Sequence, residues 1–236
     1  MDRSNLPTLV LLPGMDGTSE LFKPFVSALD HACDIVVVTY PCDIPLSYDE
    51  LEAIARASLP TDRPFVLLGE SFSGPIAIAL TALHLPQQVG LVLCCTFISN
   101  PRPLFNPLRF LVNLLPMSAV PAGWLSPLLL GRFSTAALRT SLSRAINQVN
   151  PSVMRERLRS VLEVDVSTQL AQVNVPTVYL RATDDRVVPK TASERIARLK
   201  PQVQMIDLKA PHCLLQAVPD EAARQVMEFL RATDTS

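Results

Sequence analysis

The sequence has few charged residues, few histidines and no concentration of positive charge. Of its 236 residues, 18% are charged, three are histidines, and the formal net charge is -1. Proteins that bind the phosphate backbone of nucleic acids need a cationic surface, so this composition argues against nucleic acid as a partner. The hydrophobic share of 48% favours one buried core over a disordered chain.

Cysteine patterns typical of metal sites and disulfide frameworks are also missing. The five cysteines are odd in number, and no two have the C-x-x-C spacing. We therefore predict free thiols and a cytoplasmic protein. The apolar stretch Leu9–Leu12 near the N-terminus is also too short for the hydrophobic core of a signal peptide.

One uncharged stretch, Phe110–Leu130, is long enough to suggest a membrane span. Pro116, Pro121 and Pro127 lie inside it and would interrupt a spanning helix. We expect no transmembrane helix, but a weak association of this stretch with a membrane surface stays open.

Short apolar runs alternate with longer segments that have helical spacing. The runs are mostly apolar on both faces, as in buried parallel strands, and the alternation predicts a doubly wound α/β fold. The predicted strands are Thr8–Leu12, Asp34–Tyr40, Phe65–Leu68, Leu91–Cys95, Thr177–Leu180 and Val203–Leu208. The predicted helices between and after them are Ser19–Leu29, Tyr48–Ser58, Ser71–Leu83, Lys190–Leu199 and Pro219–Ala232.

The alternation stops after Cys95 and resumes near Val175. Within this interval, residues 135–170 have regular helical spacing with Arg155, Glu156 and Arg157 on one side. We interpret residues 99–171 as a helical cap, inserted over the carboxyl edge of a core formed by residues 1–98 and 172–236.

The segment Phe65–Gly74 has the pattern of a nucleophile elbow. An apolar strand ends at Gly69, Ser71 follows after one residue, and an apolar helix then begins. A hydroxyl is a weak nucleophile, so it must be exposed at a tight turn where a base and backbone N–H groups can reach the reacting atoms. We predict Ser71 as the nucleophile. Ser73 is less suitable because an elbow centred there would bury the hydroxyl, and a simple helix-capping role for Ser71 stays open.

A base is available after the last predicted strand. Among the three histidines, only His212 follows a predicted strand and precedes the final helix. His31 and His84 lie at the ends of predicted surface helices in the first half of the chain, where we expect them to be solvated. His212 is therefore the candidate base.

Two acids follow the preceding strand, Asp184 and Asp185. The acid of a triad must be held firmly to orient the histidine, which favours a turn residue. Asp185 stands four residues before Pro189 in an Asp-x-x-Val-Pro pattern and is the preferred candidate. Asp184 and a purely turn-forming role stay open.

The glycines of the loop Leu11–Thr18 allow the backbone to come close to a substrate. The N–H groups of Met15 and Phe72 are the candidate oxyanion hole. A phosphate-binding loop is disfavoured because the chain has neither the G-x-G-x-x-G order nor a Walker lysine here.

Together these segments resemble the α/β-hydrolase superfamily over nearly the whole chain, and within it small bacterial-type esterases and acyl-transferring relatives that act on long-chain esters. The segments are Leu12–Thr18, Gly69–Gly74, Asp185–Pro189 and Pro211–Cys213. The chain departs from many relatives at Pro13, where His is common, and at Ser73, where Gly is usual. Those departures leave Ser71, Asp185 and His212 in place but affect the expected oxyanion geometry.

The resemblance implies a mostly parallel sheet flanked by helices, an inserted cap, and a Ser71-Asp185-His212 triad that forms an acyl-enzyme without a metal or organic cofactor. The implied partner is a small hydrophobic ester. Phe110, Trp124 and Phe133 of the cap are candidate substrate contacts, although packing the cap onto the core would explain them equally well. Acyl transfer, thioester cleavage and a binding module with a silent triad are the alternatives, and the sequence does not determine the oligomeric state.

Overall fold

The computed structural model describes residues 6–103 and 122–234, and its strands form one sheet. The spatial order is β2-β1-β3-β4-β5-β6, and every neighbouring pair is parallel. The strands are β1 Thr8–Leu12, β2 Ile35–Val37, β3 Phe65–Glu70, β4 Gln88–Cys94, β5 Thr177–Ala182 and β6 Gln204–Leu208.

Helices follow the strands and also fill the interval between β4 and β5. They are α1 Lys23–Ala28, α2 Tyr48–Ala57, α3 Gly74–Thr81, α4 Ala122–Leu129, α5 Ala136–Asn147, α6 Pro151–Glu163, α7 Ser167–Gln172, α8 Lys190–Leu199, α9 Leu214–Ala217 and α10 Pro219–Asp234. Short 3-10 turns cover Glu20–Phe22, Ser71–Ser73 and Gly131–Phe133. The predicted α/β class is confirmed.

Side chains of successive strand residues enter two separate cores, one on each face of the sheet. Along β1, Leu9 and Leu11 join one core, and Val10 and Leu12 join the other. This alternation explains why the central strands are apolar on both faces: each face of the sheet is covered by helices.

The second strand is shorter than predicted. Residues Asp34–Tyr40 were expected to be extended throughout, but only Ile35–Val37 belong to the ladder. The N–H of Tyr40 instead donates to the carbonyl of Gly17 at 2.8 Å. The chain leaves the sheet because its backbone supports the loop that follows β1.

The helix predicted from Ser71 begins later. Ser71 has a left-handed φ of 47°, so the α-helix starts at Gly74 after one 3-10 turn. A residue in that conformation cannot continue a right-handed α-helix.

Helices α4 to α7 lie in the predicted insertion, and an isolated antiparallel bridge pairs Ser99 with Asp165. Arg157 on α6 was predicted on a charged face with Arg155 and Glu156. This prediction is wrong for Arg157, whose side chain is 1% exposed because polar backbone groups of the core surround its guanidinium. The assignment of 99–171 as a separate cap stays a prediction.

Several other predictions concern single residues. All five cysteines are free thiols, and His31 and His84 are exposed, as expected. Within the described ranges, no helix is both long and apolar enough to cross a membrane. Much of the uncharged stretch Phe110–Leu130 lies outside those ranges.

Candidate active site

Ser71 lies at a sharp turn where β3 ends and the helical segment begins. Its φ of 47° is in the left-handed region, which a serine adopts only when its surroundings hold it there. The side chain of Ser71 is half-exposed, whereas its neighbours Glu70 and Phe72 are buried. The turn therefore presents one hydroxyl to solvent at the carboxyl edge of the sheet.

Two glycines allow this turn to close. A Cβ at Gly69 would lie 2.7 Å from the Cβ of Ala77, and a Cβ at Gly74 would lie 1.9 Å from Oγ1 of Thr96. The same Thr96 hydroxyl donates a hydrogen bond to the carbonyl of Ser71. This close packing holds Ser71 in its strained conformation.

Ser71, His212 and Asp185 form a continuous hydrogen-bonded chain. Oγ of Ser71 is 2.8 Å from Nε2 of His212, and Nδ1 of His212 is 2.8 Å from Oδ2 of Asp185. The side chains of His212 and Asp185 are each only 7% exposed. When Nδ1–H donates to the carboxylate, Nε2 presents a lone pair to the serine hydroxyl.

The two candidate acids have different environments. Oδ1 of Asp185 accepts hydrogen bonds from the N–H groups of Val187 and Val188 at 2.8 and 2.9 Å, while Oδ2 faces the histidine. The Asp184 side chain is 37% exposed and pairs with Arg132 at 2.7 Å. Thus the structure brings Asp185, and not Asp184, to His212.

Ser73 is completely buried and connects the elbow to the loop after β1. Its hydroxyl donates to the carbonyl of Pro13 and lies 3.1 Å from the hydroxyl of Tyr40, which donates to it. Burial raises the pKa of Tyr40 and keeps that phenol neutral. Ser73 therefore has structural partners on both sides, and His212 is not among them.

The loop after β1 makes a tight turn beside the elbow. The N–H of Gly17 donates to the carbonyl of Gly14 at 3.0 Å, and Gly17 has a φ of 69°. The buried carboxylate of Asp16 accepts hydrogen bonds from the N–H and hydroxyl of Thr18. No hydrogen bond among the described residues uses the N–H of Met15. Its pairing with the N–H of Phe72 stays a prediction.

A family model described as the alpha/beta hydrolase family matches residues 9–225. The chain belongs to the α/β-hydrolase family. This confirms the resemblance inferred from the motifs, and the family's fold agrees with the sheet and helices described above.

Individual relatives of this α/β-hydrolase are distant in sequence. "Putative carbamate hydrolase RutD" of Rhizobium rhizogenes is 25% identical, over 98% of this chain and 95% of that protein. "Phytyl ester synthase 1, chloroplastic" of Arabidopsis thaliana is 29% identical, over 66% of this chain and 23% of that protein. The crystal structure of an enol-lactonase from Burkholderia xenovorans LB400 superposes with a TM-score of 0.81, at 17% identity, covering 98% of this chain and 94% of the other.

The hydrolase also has buried acids that the motif analysis missed. Burial raises the pKa of Glu70, directly before Ser71, from its ordinary value of 4.5 to about 7. Nε2 of Gln216 donates a hydrogen bond to Oε1 of Glu70 at 3.0 Å. A Cβ at Gly14 would lie 3.5 Å from Oδ1 of Asp16 and 3.9 Å from Oε2 of Glu70, so both carboxyls face the loop. The sequence signal was a charged residue at the end of a strand that is otherwise apolar.

Replacement of Glu70 by Gln is expected to flatten the pH dependence of stability. With a pKa of about 7, the native state of the hydrolase keeps a proton that the unfolded chain releases near pH 4.5. Stability contributed by this group is therefore full at low pH and is lost as pH rises through 7, by up to about 3 kcal/mol. Urea unfolding at pH 5 and pH 8 measures how much the free energy of unfolding of each protein changes with pH. An equal change of the free energy of unfolding in wild type and Glu70→Gln would contradict this prediction. The substitution of the exposed Glu163 by Gln serves as the control.

The three candidate substrate contacts are placed unequally. Phe133 is half-buried and lines a groove of 360 Å³ beside Asp185 and Pro211. Phe110 lies outside the described residues, and Trp124 belongs to α4 with its side chain also outside them. Phe133 is thus the one of the three that the structure places near Asp185.

A narrow gap of about 10 Å³ lies between the inserted helices and the core and is too small to hold a substrate. Its lining is mostly apolar and includes Cys213, the neighbour of His212. The other apolar residues that line it are Leu21, Pro24, Leu130, Leu138 and Leu142. Residues from both parts of the chain therefore meet beside His212.

Proposed function

We propose that this protein is a serine hydrolase that cleaves the carboxylic ester bond of a small hydrophobic substrate. The observation that carries the proposal is the chain of hydrogen bonds from Ser71 through His212 to Asp185, with 2.8 Å at each step. This arrangement activates a hydroxyl as a nucleophile, and the left-handed turn keeps that hydroxyl accessible.

The proposed reaction has two halves. Oγ of Ser71 attacks the ester carbonyl while Nε2 of His212 accepts its proton, and Asp185 stabilises the imidazolium that forms. The tetrahedral intermediate places its oxyanion toward the N–H groups of Met15 and Phe72. It collapses when His212 protonates the leaving alcohol, and an acyl-enzyme remains. Water, activated by the same histidine, then attacks the acyl-enzyme and releases the acid. These steps require no metal or organic cofactor.

The preference for a hydrophobic substrate rests on the surroundings of His212. Leucines from both the core and the inserted helices pack together beside Cys213, and Phe133 borders the groove next to Asp185. We propose residues 99–171 as the cap that covers this site and the cytoplasm as its compartment.

Covalent labelling tests the proposal directly. A fluorophosphonate is expected to add to Ser71, as shown by the mass of the labelled peptide, and p-nitrophenyl esters of increasing acyl length are expected to be hydrolysed. An aryl carbamate is included in the same panel because the bacterial relative is named a putative carbamate hydrolase. The two rates then compare ester cleavage with carbamate cleavage. Absence of both labelling and turnover would overturn the proposal and favour a ligand-binding module.

Acyl transfer is the second candidate, favoured by the similarity to a protein named as an ester synthase. It shares the acyl-enzyme and differs only in the acceptor. Adding a long-chain alcohol to the ester assay separates the two, because a transferase is expected to form the new ester at the expense of free acid. A product ratio unchanged by the alcohol would indicate hydrolysis. The same assay with a thioester substrate tests thioesterase activity.

A further inference from the structure

Arg157 is a buried cation that reaches from the inserted helices into the loop after β1. It belongs to α6, and its side chain is 1% exposed. Nη1 donates to the carbonyl of Met15 at 2.8 Å, and Nη2 donates to the carbonyl of Pro41 at 2.9 Å. One guanidinium therefore joins two segments of the core, and one of its partners is the backbone of the candidate oxyanion residue.

The loop is shaped to receive this guanidinium. A Cβ at Gly17 would lie 2.5 Å from Nη1, so only glycine leaves room for it, and the φ of 69° at Gly17 also favours glycine. The cation lies 5.9 Å from the centre of the Tyr40 ring, and the buried Asp16 attracts it. Both contacts compensate in part for removing a charge from water.

Arg157 also completes a network that surrounds the elbow. The hydroxyl of Tyr40 donates to Ser73, and Ser73 donates to the carbonyl of Pro13. The loop is thus held on one side by the elbow, through Pro13, and on the other by α6, through Met15. The N–H of Met15 lies between these two attached carbonyls along the backbone.

We propose that Arg157 is a positioning residue for the oxyanion hole: by holding the carbonyl of Met15, it fixes the orientation in which the N–H of Met15 faces the reacting carbonyl. This inference rests on the proposed function. It makes the inserted helices part of the catalytic machinery, because one of them supplies the group that orders the loop.

The chemistry of the guanidinium explains why an arginine is needed. Its planar fork can donate to two carbonyls at once with little loss of side-chain freedom, whereas a lysine ammonium is a point charge on a flexible chain. An arginine that only attached α6 to the core would be replaceable by any side chain that preserves folding. An arginine that orders the oxyanion hole stabilises the transition state more than the ground state.

The test compares Arg157→Met and Arg157→Lys with Arg159→Lys. Arg159 is on the same helix and has a side chain 41% exposed in an ion pair with Glu156. For Arg157→Met we expect kcat to fall about 100-fold with KM nearly unchanged, the size of effect seen when an oxyanion donor is lost or misplaced. Arg157→Lys is expected to lose about tenfold, because one of two charge-assisted contacts remains. Arg159→Lys is expected to match wild type.

A trifluoromethyl ketone supplies a readout that a merely structural role would not change. It forms a tetrahedral adduct with a serine nucleophile and carries an oxyanion, so its Ki is expected to rise in parallel with the loss of kcat/KM across the variants. Methylguanidinium, added to Arg157→Ala, is expected to restore part of the activity by occupying the vacated site. Arg157→Lys keeps the positive charge. If Arg157→Met and Arg157→Ala do not fold, kcat and Ki of Arg157→Lys test the inference.

The outcomes separate this inference from the proposed function. If the wild type is labelled by fluorophosphonate and turns over esters while folded Arg157→Lys and Arg157→Met keep its kcat and Ki, the positioning role is wrong and the hydrolase remains. If the wild type itself is neither labelled nor active, the proposed function is wrong and the positioning role fails with it.

Discussion

Replacement of Ser71 by Ala is expected to lower kcat for ester hydrolysis by about 10⁵- to 10⁶-fold, as is seen when the nucleophile of a serine triad is removed. The hydroxyl is the atom that His212 contacts at 2.8 Å, and alanine leaves nothing for the base to activate. The measurement is kcat on the best p-nitrophenyl ester, together with loss of the fluorophosphonate label. Because Ser71 is half-exposed, the variant is expected to fold normally.

Ser73→Ala is the matched control for this variant. It removes the hydrogen bonds to Pro13 and Tyr40, so the free energy of unfolding should fall by about 1 to 2 kcal/mol. Activity should fall less than about tenfold, because the hydroxyl of Ser73 only supports the elbow and the loop. An inactive Ser73→Ala beside an active Ser71→Ala would reverse the assignment of the nucleophile.

Replacement of Asp185 by Asn is expected to lower kcat by about 10⁴-fold with the fold intact. The carboxylate accepts from Nδ1 of His212 at 2.8 Å, and so selects the tautomer in which Nε2 is free to accept the serine proton. An amide can instead donate to Nδ1, which places the proton on the wrong nitrogen. Steady-state kinetics and the rate of labelling by fluorophosphonate measure the loss.

The neighbouring Asp184→Asn provides the comparison. Its exposed pair with Arg132 contributes less than about 1 kcal/mol to stability, and its loss should leave kcat within about twofold of wild type. Equal losses in the two variants would indicate that the turn as a whole, rather than the carboxylate of Asp185, supports catalysis. A large loss confined to Asp184→Asn would identify that residue as the acid.

The site depends on parts of the chain that differ greatly in sequence position. The elbow and the loop after β1 belong to the first half, the acid and base to the last quarter, and Arg157 to the inserted helices. We expect the insertion to have two roles: it covers the substrate, and it supports the loop after β1. Variants of Arg157 test the support of the loop and leave the residues that would cover the substrate unchanged.

The amino-acid sequence was sufficient to predict the α/β class and the residues that meet at Ser71. Each of these follows from a pattern within one continuous segment: apolar runs of strand length, helical spacing, or a small-residue turn between a strand and a helix. Parallel strands bring their carboxyl ends to one edge, so the loops after β3, β5 and β6 lie along the same edge of the sheet.

The tertiary structure alone decided between neighbouring candidates and revealed the supporting residues. Asp184 and Asp185 have the same chemistry, and only their contacts with Arg132 and His212 distinguish them. Arg157 has the helical spacing of an exposed residue, yet it is buried because two carbonyls and a glycine of the distant loop surround it. Burial and long-range hydrogen bonds depend on segments far apart in the chain, and no local pattern contains them.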